Sequence, residues 1–304
     1  IEKGDYDLKN ILKKYSIFDI QTGFESTPIT RVDNIKKTKQ LFPESSQLSF
    51  VGDAHYPSID PNGNFVAYVD SNKVFIQNIK DGNKICLLES KTGCYVESWS
   101  PDSSELLVYS WGDNENNSSL AIISHLGGAI RNIPNFSTPQ PPIAVWSPDG
   151  SEIAFTCLTW KSIKIIDKST FVTKKTLKIN LDFQFLQGIC WSTIDKNILY
   201  FSILNHDDYP CIYEININTQ ETKLLYSHNK TDQIYCLQIS KKSKSIYFVQ
   251  SRFPSGNNHL FKLGINNNNK SPDLISNDFQ SQMFSITEKN LLVYNKCIHN
   301  TNLY

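Results

Sequence analysis

The chain lacks most of what marks a membrane, disulfide-stapled or motif-bearing catalytic protein. It has no run of about 20 apolar residues, the length a bilayer core demands, so no segment reads as a membrane-spanning helix. No signal peptide opens it. It begins at Ile1 rather than Met and so reads as a fragment or mature product, which makes export the alternative to a cytoplasmic location. There is no surplus charge: 30 basic residues balance 30 acidic ones. Phosphate backbones select a basic face, so nucleic acid is not the expected partner. The seven cysteines, Cys86, Cys94, Cys157, Cys190, Cys211, Cys236 and Cys297, form no Cys-Xaa-Xaa-Cys pair. In a domain this long they read as small buried hydrophobes in a reducing compartment rather than a disulfide framework.

Catalytic signatures are missing too. There is no Gly-Xaa-Ser-Xaa-Gly elbow, no His-Glu-Xaa-Xaa-His and no cysteine with an evident histidine partner, and Gly127-Gly128 lacks the rest of a phosphate loop. His206-Asp207-Asp208 is the most metal-like cluster. Side chains adjacent on one loop need ligands from elsewhere, and His55 and His228 stand alone. Neither a metal nor a cofactor is expected, and the chain reads as non-enzymatic.

What the sequence does have is a repeat. Asp60, Ser100, Ser147, Ser192, Ser240 and Ser285 serve as equivalent anchors, 40 to 48 residues apart. A large apolar residue precedes each: Ile59, Trp99, Trp146, Trp191, Ile239 and Phe284. Six residues after each anchor an apolar run opens, as in Leu106-Leu107-Val108-Tyr109 and Ile198-Leu199-Tyr200-Phe201. Pro61-Asn62-Gly63, Pro101-Asp102-Ser103 and Pro148-Asp149-Gly150 are turn sequences, with proline presetting the first φ. Short β-branched and aromatic runs beside such turns are strands, and runs apolar on both faces are strands of sheets covered on both sides. Radial stacking supplies a neighbour on each side, with the large residue before each anchor wedged between sheets. A period near 45 fits a propeller of four-stranded blades.

The turn Trp146-Ser147-Pro148-Asp149-Gly150 resembles the WD-like repeat of TolB-type β-propellers. Trp99-Ser100-Pro101-Asp102-Ser103 is close to it, and Asp60-Pro61-Asn62-Gly63 and Trp191-Ser192 match in part. The resemblance runs over roughly residues 55 to 300 and implies an all-β, six-bladed propeller of antiparallel four-stranded blades. In this reading the whole chain, 1–304, is one domain. Residues 1–14 lead in, with 5–14 either a short amphipathic helix or simply part of that lead-in. Residues 15–32 and 281–304 build one composite closing blade, with 24–32 its outermost strand, and 55–280 form five further blades. Residues 33–54 are a long link.

The TolB family acts as a protein-interaction platform in the bacterial envelope. Its additional α/β domain is not visible in this chain. The resemblance therefore implies a scaffold that binds a protein or peptide. The alternative it implies is a hydrolase or part of one, either the propeller cap of a prolyl-oligopeptidase-like peptidase or a metal-dependent propeller hydrolase. In a propeller the loops from second to third strand and from blade to blade share one face. Aromatic and charged residues on such loops are interface anchors. Trp111, Asp113, Trp160, Phe183, His206, Asp207, Arg252 and Phe253 are the candidate binding residues of that face.

Overall fold

The computed structural model describes residues 15–21, 45–47 and 54–298, apart from 113–117, 135, 137–140, 157–160, 229–231, 241, 253–256, 266–270, 278, 280, 282 and 288–290. The described residues are strands and turns.

The first two strands are β1 (Tyr15–Gln21) and β2 (Ser45–Gln47). Blade I follows as β3 (His55–Ile59), β4 (Phe65–Asp70), β5 (Lys73–Asn78) and β6 (Lys84–Glu89). Blade II is β7 (Cys94–Trp99), β8 (Glu105–Ser110), β9 (Ser119–Ser124) and β10 (Arg131–Asn132). Blade III is β11 (Ala144–Trp146), β12 (Glu152–Thr156), β13 (Ser162–Asp167) and β14 (Thr173–Lys178). Blade IV is β15 (Phe185–Trp191), β16 (Ile198–Leu204), β17 (Pro210–Asn216) and β18 (Thr222–Ser227). Blade V is β19 (Asp232–Ser240), β20 (Ser245–Arg252), β21 (Asn258–Gly264) and β22 (Asp273–Ser276). The last strands are β23 (Phe284–Ile286) and β24 (Leu292–Ile298). Each blade is four consecutive antiparallel strands, and a further four-stranded sheet has the order β2-β1-β24-β23.

The chain ends therefore share one sheet, with β1 paired to β24 from Tyr15–Ile298 to Gln21–Leu292. Its outermost strand is β2, drawn from the stretch expected to be a link; residues 24–32 and the lead-in stretch 5–14 lie outside the described residues.

The second strands are buried on both faces, as their unbroken apolar runs require: Val66 to Val69, Leu106 to Tyr109 and Leu199 to Leu204 are all buried. The fourth strands β6, β14 and β18 are largely exposed, which places them on the outer rim. Each pair of neighbouring sheets encloses an apolar core. Blades I and II meet at Val74, Cys94 and Trp99. Blades II and III meet at Leu120, Trp146 and Ile153, and III and IV at Ile163, Trp191 and Leu199. Blades IV and V meet at Ile212, Ile246 and Phe248. The composite sheet packs Phe284, Ile286 and Leu292 against Tyr247 and Leu260 of blade V, and Val293 against Ala54, Val66 and Tyr68 of blade I. The residue before each anchor is the wedge in these cores. Trp99 also donates its indole N–H to the Ser58 carbonyl of the preceding blade at 2.8 Å.

The anchors are buried, and three of them accept the backbone at the start of the strand that follows, whereas Ser192 Oγ accepts the Ile194 and Asp195 N–H groups and Ser240 Oγ the Ser243 N–H within their own turns. Ser147 Oγ accepts the Glu152 N–H at 2.9 Å and donates to Asp149 at 2.7 Å. Ser100 repeats this with Glu105 at 2.9 Å and Asp102 at 2.6 Å. At Asp60 a carboxylate oxygen accepts the Asn64 and Phe65 N–H groups, both at 2.6 Å. Hydrogen bonds, first from the Ser100 hydroxyl, hold the Asp102 carboxyl at about 2. Asp149 is likewise held at about 2, chiefly by Ser151 and Ser147. These turns keep that support above the ordinary Asp value of about 3.9 and lose it as pH falls toward 2.

The last anchor is displaced from its expected place. Thr287, not Ser285, donates its N–H to the Leu291 carbonyl at 2.9 Å and accepts the Leu291 N–H through Oγ1 at 3.1 Å. Its preceding residue, Ile286, takes the wedge position. Cys94, Cys190 and Cys211 are buried free thiols as expected, whereas Cys86, on the outer strand β6, is exposed.

Ser147→Ala leaves the Glu152 N–H without its acceptor, a loss of about 1–3 kcal/mol. The expected outcome is a thermal midpoint several degrees lower, whereas Ser169→Ala, in the exposed turn after β13 where the backbone N–H that bonds Asp167 is kept, costs no more than about 0.5 kcal/mol. Thermal denaturation followed by circular dichroism checks the contrast.

Candidate functional site: the central channel

The first strand of each blade is innermost, and four of these strands carry a bulge. The register slips at Tyr56-Pro57 in β3, at Glu97 in β7, at Gln187 in β15 and at Cys236-Leu237 in β19. A bulge sets extra residues against one partner and re-aims side chains. Here the re-aimed residues line a central channel. Tyr56 and Cys236 adopt left-handed φ values of 53° and 55° at these bulges.

Three bulge side chains stitch blade to blade. Glu97 Oε2 accepts the Ala144 N–H at 3.3 Å, and Gln187 Oε1 accepts the Ile234 N–H at 3.3 Å. Cys236 Sγ accepts the Phe284 N–H at 3.4 Å. An inner strand is a sheet edge with unpaired N–H groups, and these three bulges supply an acceptor to the neighbouring strand. Gly188, next to the bulge in β15, is required by closeness: a Cβ there would sit 2.9 Å from Ser202 Oγ and 3.1 Å from Leu237.

The channel has a wide basin of about 720 Å³ on the side where the blade-to-blade segments enter. A smaller basin of about 240 Å³ lies toward the anchor turns. Glu97, Val145, Leu237 and Gln238 line both, which places them at the waist. The wide basin is walled mainly by apolar groups, with Tyr56, Tyr95 and Tyr235 among them and Phe185, 39% exposed, on its lining. The Tyr56 and Tyr95 rings meet edge to face with centroids 4.1 Å apart. Burial raises the Glu97 carboxyl to about 8, against the lowering effect of the Ala144 N–H. Burial also pushes the Tyr56 phenol well above its ordinary value, helped by its bond to Tyr95.

The residues singled out from sequence fall differently. Phe183 is not on the surface: it is 1% exposed in the core between blades III and IV. Trp111 folds back onto blade II, edge-on to Tyr95 and Tyr109 at 4.7 and 5.7 Å between centroids. Its ring covers Gly93, where a Cβ would lie 2.6 Å from it. His206 and Asp207 are exposed. His206 Nε2 lies 2.9 Å from Asp182, and Asn205 Oδ1 accepts the Asp207 and Tyr209 N–H groups at 3.0 and 2.8 Å, so the Asp-rich loop binds its own backbone. Arg252 ends β20, paired with Asp232. Asp113, Trp160 and Phe253 lie outside the described residues. His228 is not isolated: its Nδ1 is 3.6 Å from buried Asp232, which accepts from Gln250 at 2.7 Å. Among the described residues no group of three His, Cys, Asp or Glu side chains gathers as a metal site.

The channel residues were missed because they sit three to five residues before an anchor, inside strands read only as core. A polar residue such as Glu97 or Gln187 in a largely apolar first strand is unusual, but it does not by itself say which way the side chain faces.

No protein-family model matches the sequence, and no curated protein matches it. The fold itself is widely shared among solved structures. A putative TolB from Agrobacterium tumefaciens is similar over 94% of this chain and 99% of its own, at 12% identity and a TM-score of 0.70. TolB from Acinetobacter baumannii is similar over 84% of this chain and 57% of its own, at 14% identity and a TM-score of 0.58. The tricorn protease is similar over 80% of this chain and 24% of its own, at 12% identity and a TM-score of 0.60. The chain has the fold of a TolB-type propeller. Among the described residues no helix is long and apolar enough to cross a membrane.

Because the folded protein holds the Glu97 proton up to about 8, while an unfolded glutamate releases it near 4.3, stability falls as pH rises through that window. The expected thermal midpoint declines by at least a few degrees (~2–4 °C per kcal/mol) between pH 5 and 8.5. Glu97→Gln, which keeps an acceptor for Ala144, flattens that decline; calorimetric scans across the pH range read it.

Proposed function

We propose that the protein is a non-enzymatic scaffold, a single propeller domain that binds a protein or peptide on its loop-rich face. In this proposal the composite sheet is the sixth blade and seals the ring. The observation that carries the reading is the open, mainly apolar basin on that face, with Phe185 standing 39% exposed on its lining. Large aromatics beside a rigid concave wall are the usual anchors of recognition. His206 and Asp207 sit on loops of the same face and supply a polar rim. The fold shared with TolB proteins supports the same role. Zero net charge favours a protein over a nucleic acid as partner. The buried free thiols support a reducing compartment, with export as the alternative.

A second reading, the propeller part of a hydrolase, is supported by the likeness to a quarter of the tricorn protease chain. The two readings separate in one experiment, in which a partner is captured and identified on the tagged full chain and its affinity measured. On the scaffold reading Phe185→Asp and Asp207→Lys weaken binding, Phe185→Asp by about tenfold or more, while Val172→Asp in a turn of the opposite face does not. Loss through Val172→Asp alone overturns the choice of face. A captured partner that a serine-hydrolase probe labels favours the second reading.

A further inference from the structure

The stitching role of Glu97 does not need a carboxyl. Gln187 and Cys236 make the equivalent bond to the next blade with neutral side chains. Glu97 is half-buried, and desolvating an ionisable acid carries a cost that a glutamine avoids. The charge of Glu97 is therefore surplus to the fold. Its second oxygen, Oε1, takes no part in the bond to Ala144, which Oε2 accepts. Among the described residues lining the two basins, Glu97 is the one carboxyl, and no Lys, Arg or His accompanies it. No internal cation thus competes for it. The Tyr56 and Tyr95 rings line the same wide basin, and the faces of phenol rings attract cations. Beyond them the wall is apolar: Val145, Leu186, Ile189 and Leu237 offer a surface for methylenes rather than for water.

We propose that the channel is a binding site for an organic cation, an ammonium or guanidinium group on an apolar stem, seated against Glu97 beside Tyr56 and Tyr95. The site stands independently of the scaffold reading, because a free amine and a lysine or arginine side chain share this chemistry. A basin of about 720 Å³ has the size of small-ligand pockets. Pairing with a cation makes the ionised carboxyl favourable in a place where burial alone makes it unfavourable. Binding near neutral pH is therefore coupled to release of the Glu97 proton. The other titratable groups facing the channel are the phenols Tyr56, Tyr95 and Tyr235 and the thiols Cys190 and Cys236, and burial raises Tyr56, Tyr235, Cys190 and Cys236 above their ordinary values.

The test is isothermal titration of the full chain with agmatine and cadaverine, and with N-acetyl-lysine and N-acetyl-arginine methylamides, in two buffers of different ionisation enthalpy. The expected result is saturable binding with up to one proton released, weakened about tenfold or more by Glu97→Gln, whose amide oxygen can accept the Ala144 N–H as the Gln187 amide accepts that of Ile234. Tyr56→Leu, which keeps the carboxyl, weakens binding about fivefold, in line with a lost cation–π contact. Binding of the free amines identifies a small cation as the ligand, and binding of the methylamides alone identifies a protein side chain. Absence of binding by all four probes, affinity unchanged in Glu97→Gln, or equal binding of neutral hexanamide overturns the proposal.

Discussion

A sheet that is apolar on both faces has to be covered on both, and that constraint shapes the whole molecule. Val66 to Val69 and Leu199 to Leu204 have no solvent-facing side, so each blade requires a blade before it and a blade after it. A linear stack would leave two faces bare. The shared sheet of β1, β2, β23 and β24 removes both at once, facing blade V through Phe284 and blade I through Val293. A buried side chain gives about 1.5–3 kcal/mol, so each of the cores in the circle adds enough to make an open form unfavourable. The polar cost of the design is met locally, by anchor oxygens that accept the next strand's N–H at Asp60, Ser100 and Ser147 and turn N–H groups at Ser192 and Ser240.

The channel follows from the same geometry. Packing blades radially brings their first strands together as edges around an axis, and edges carry unpaired N–H groups. Bulges answer this by turning Glu97, Gln187 and Cys236 toward the neighbouring strand. The residues that line the cavity are thus the ones that hold adjacent blades in register. One of them, Glu97, brings a charge that the register does not require, and it is there that structure and function separate.

Much of the fold was legible because the anchor signal is local. Trp146-Ser147-Pro148-Asp149-Gly150 states its turn, its hydroxyl acceptor and its wedge in five consecutive residues. The shared sheet was legible from the offset of the repeats against the chain ends. The last anchor was misplaced by two residues because Ser285 and Thr287 both carry hydroxyls, and only the Leu291 bonds distinguish them. The site was far less legible. A bulge is a property of two strands together, so nothing in Tyr95-Val96-Glu97-Ser98 alone shows that Glu97 faces a channel. Loop position likewise does not fix exposure: Phe183 turns inward to the core of blades III and IV, and Trp111 lies over Gly93.

Closure through the shared sheet is the claim everything else rests on, and hydrogen exchange at the backbone amides of 292–298 in the intact chain tests it most directly. β1 pairs with all of 292–298 and β23 with 292–294, so the amides of 292–294, and those of 295–298 that bond β1, are predicted to be protected like those of 245–251 in β20. Exchange of 292–298 at the rate of an unpaired terminus, while β20 stays protected, would contradict it.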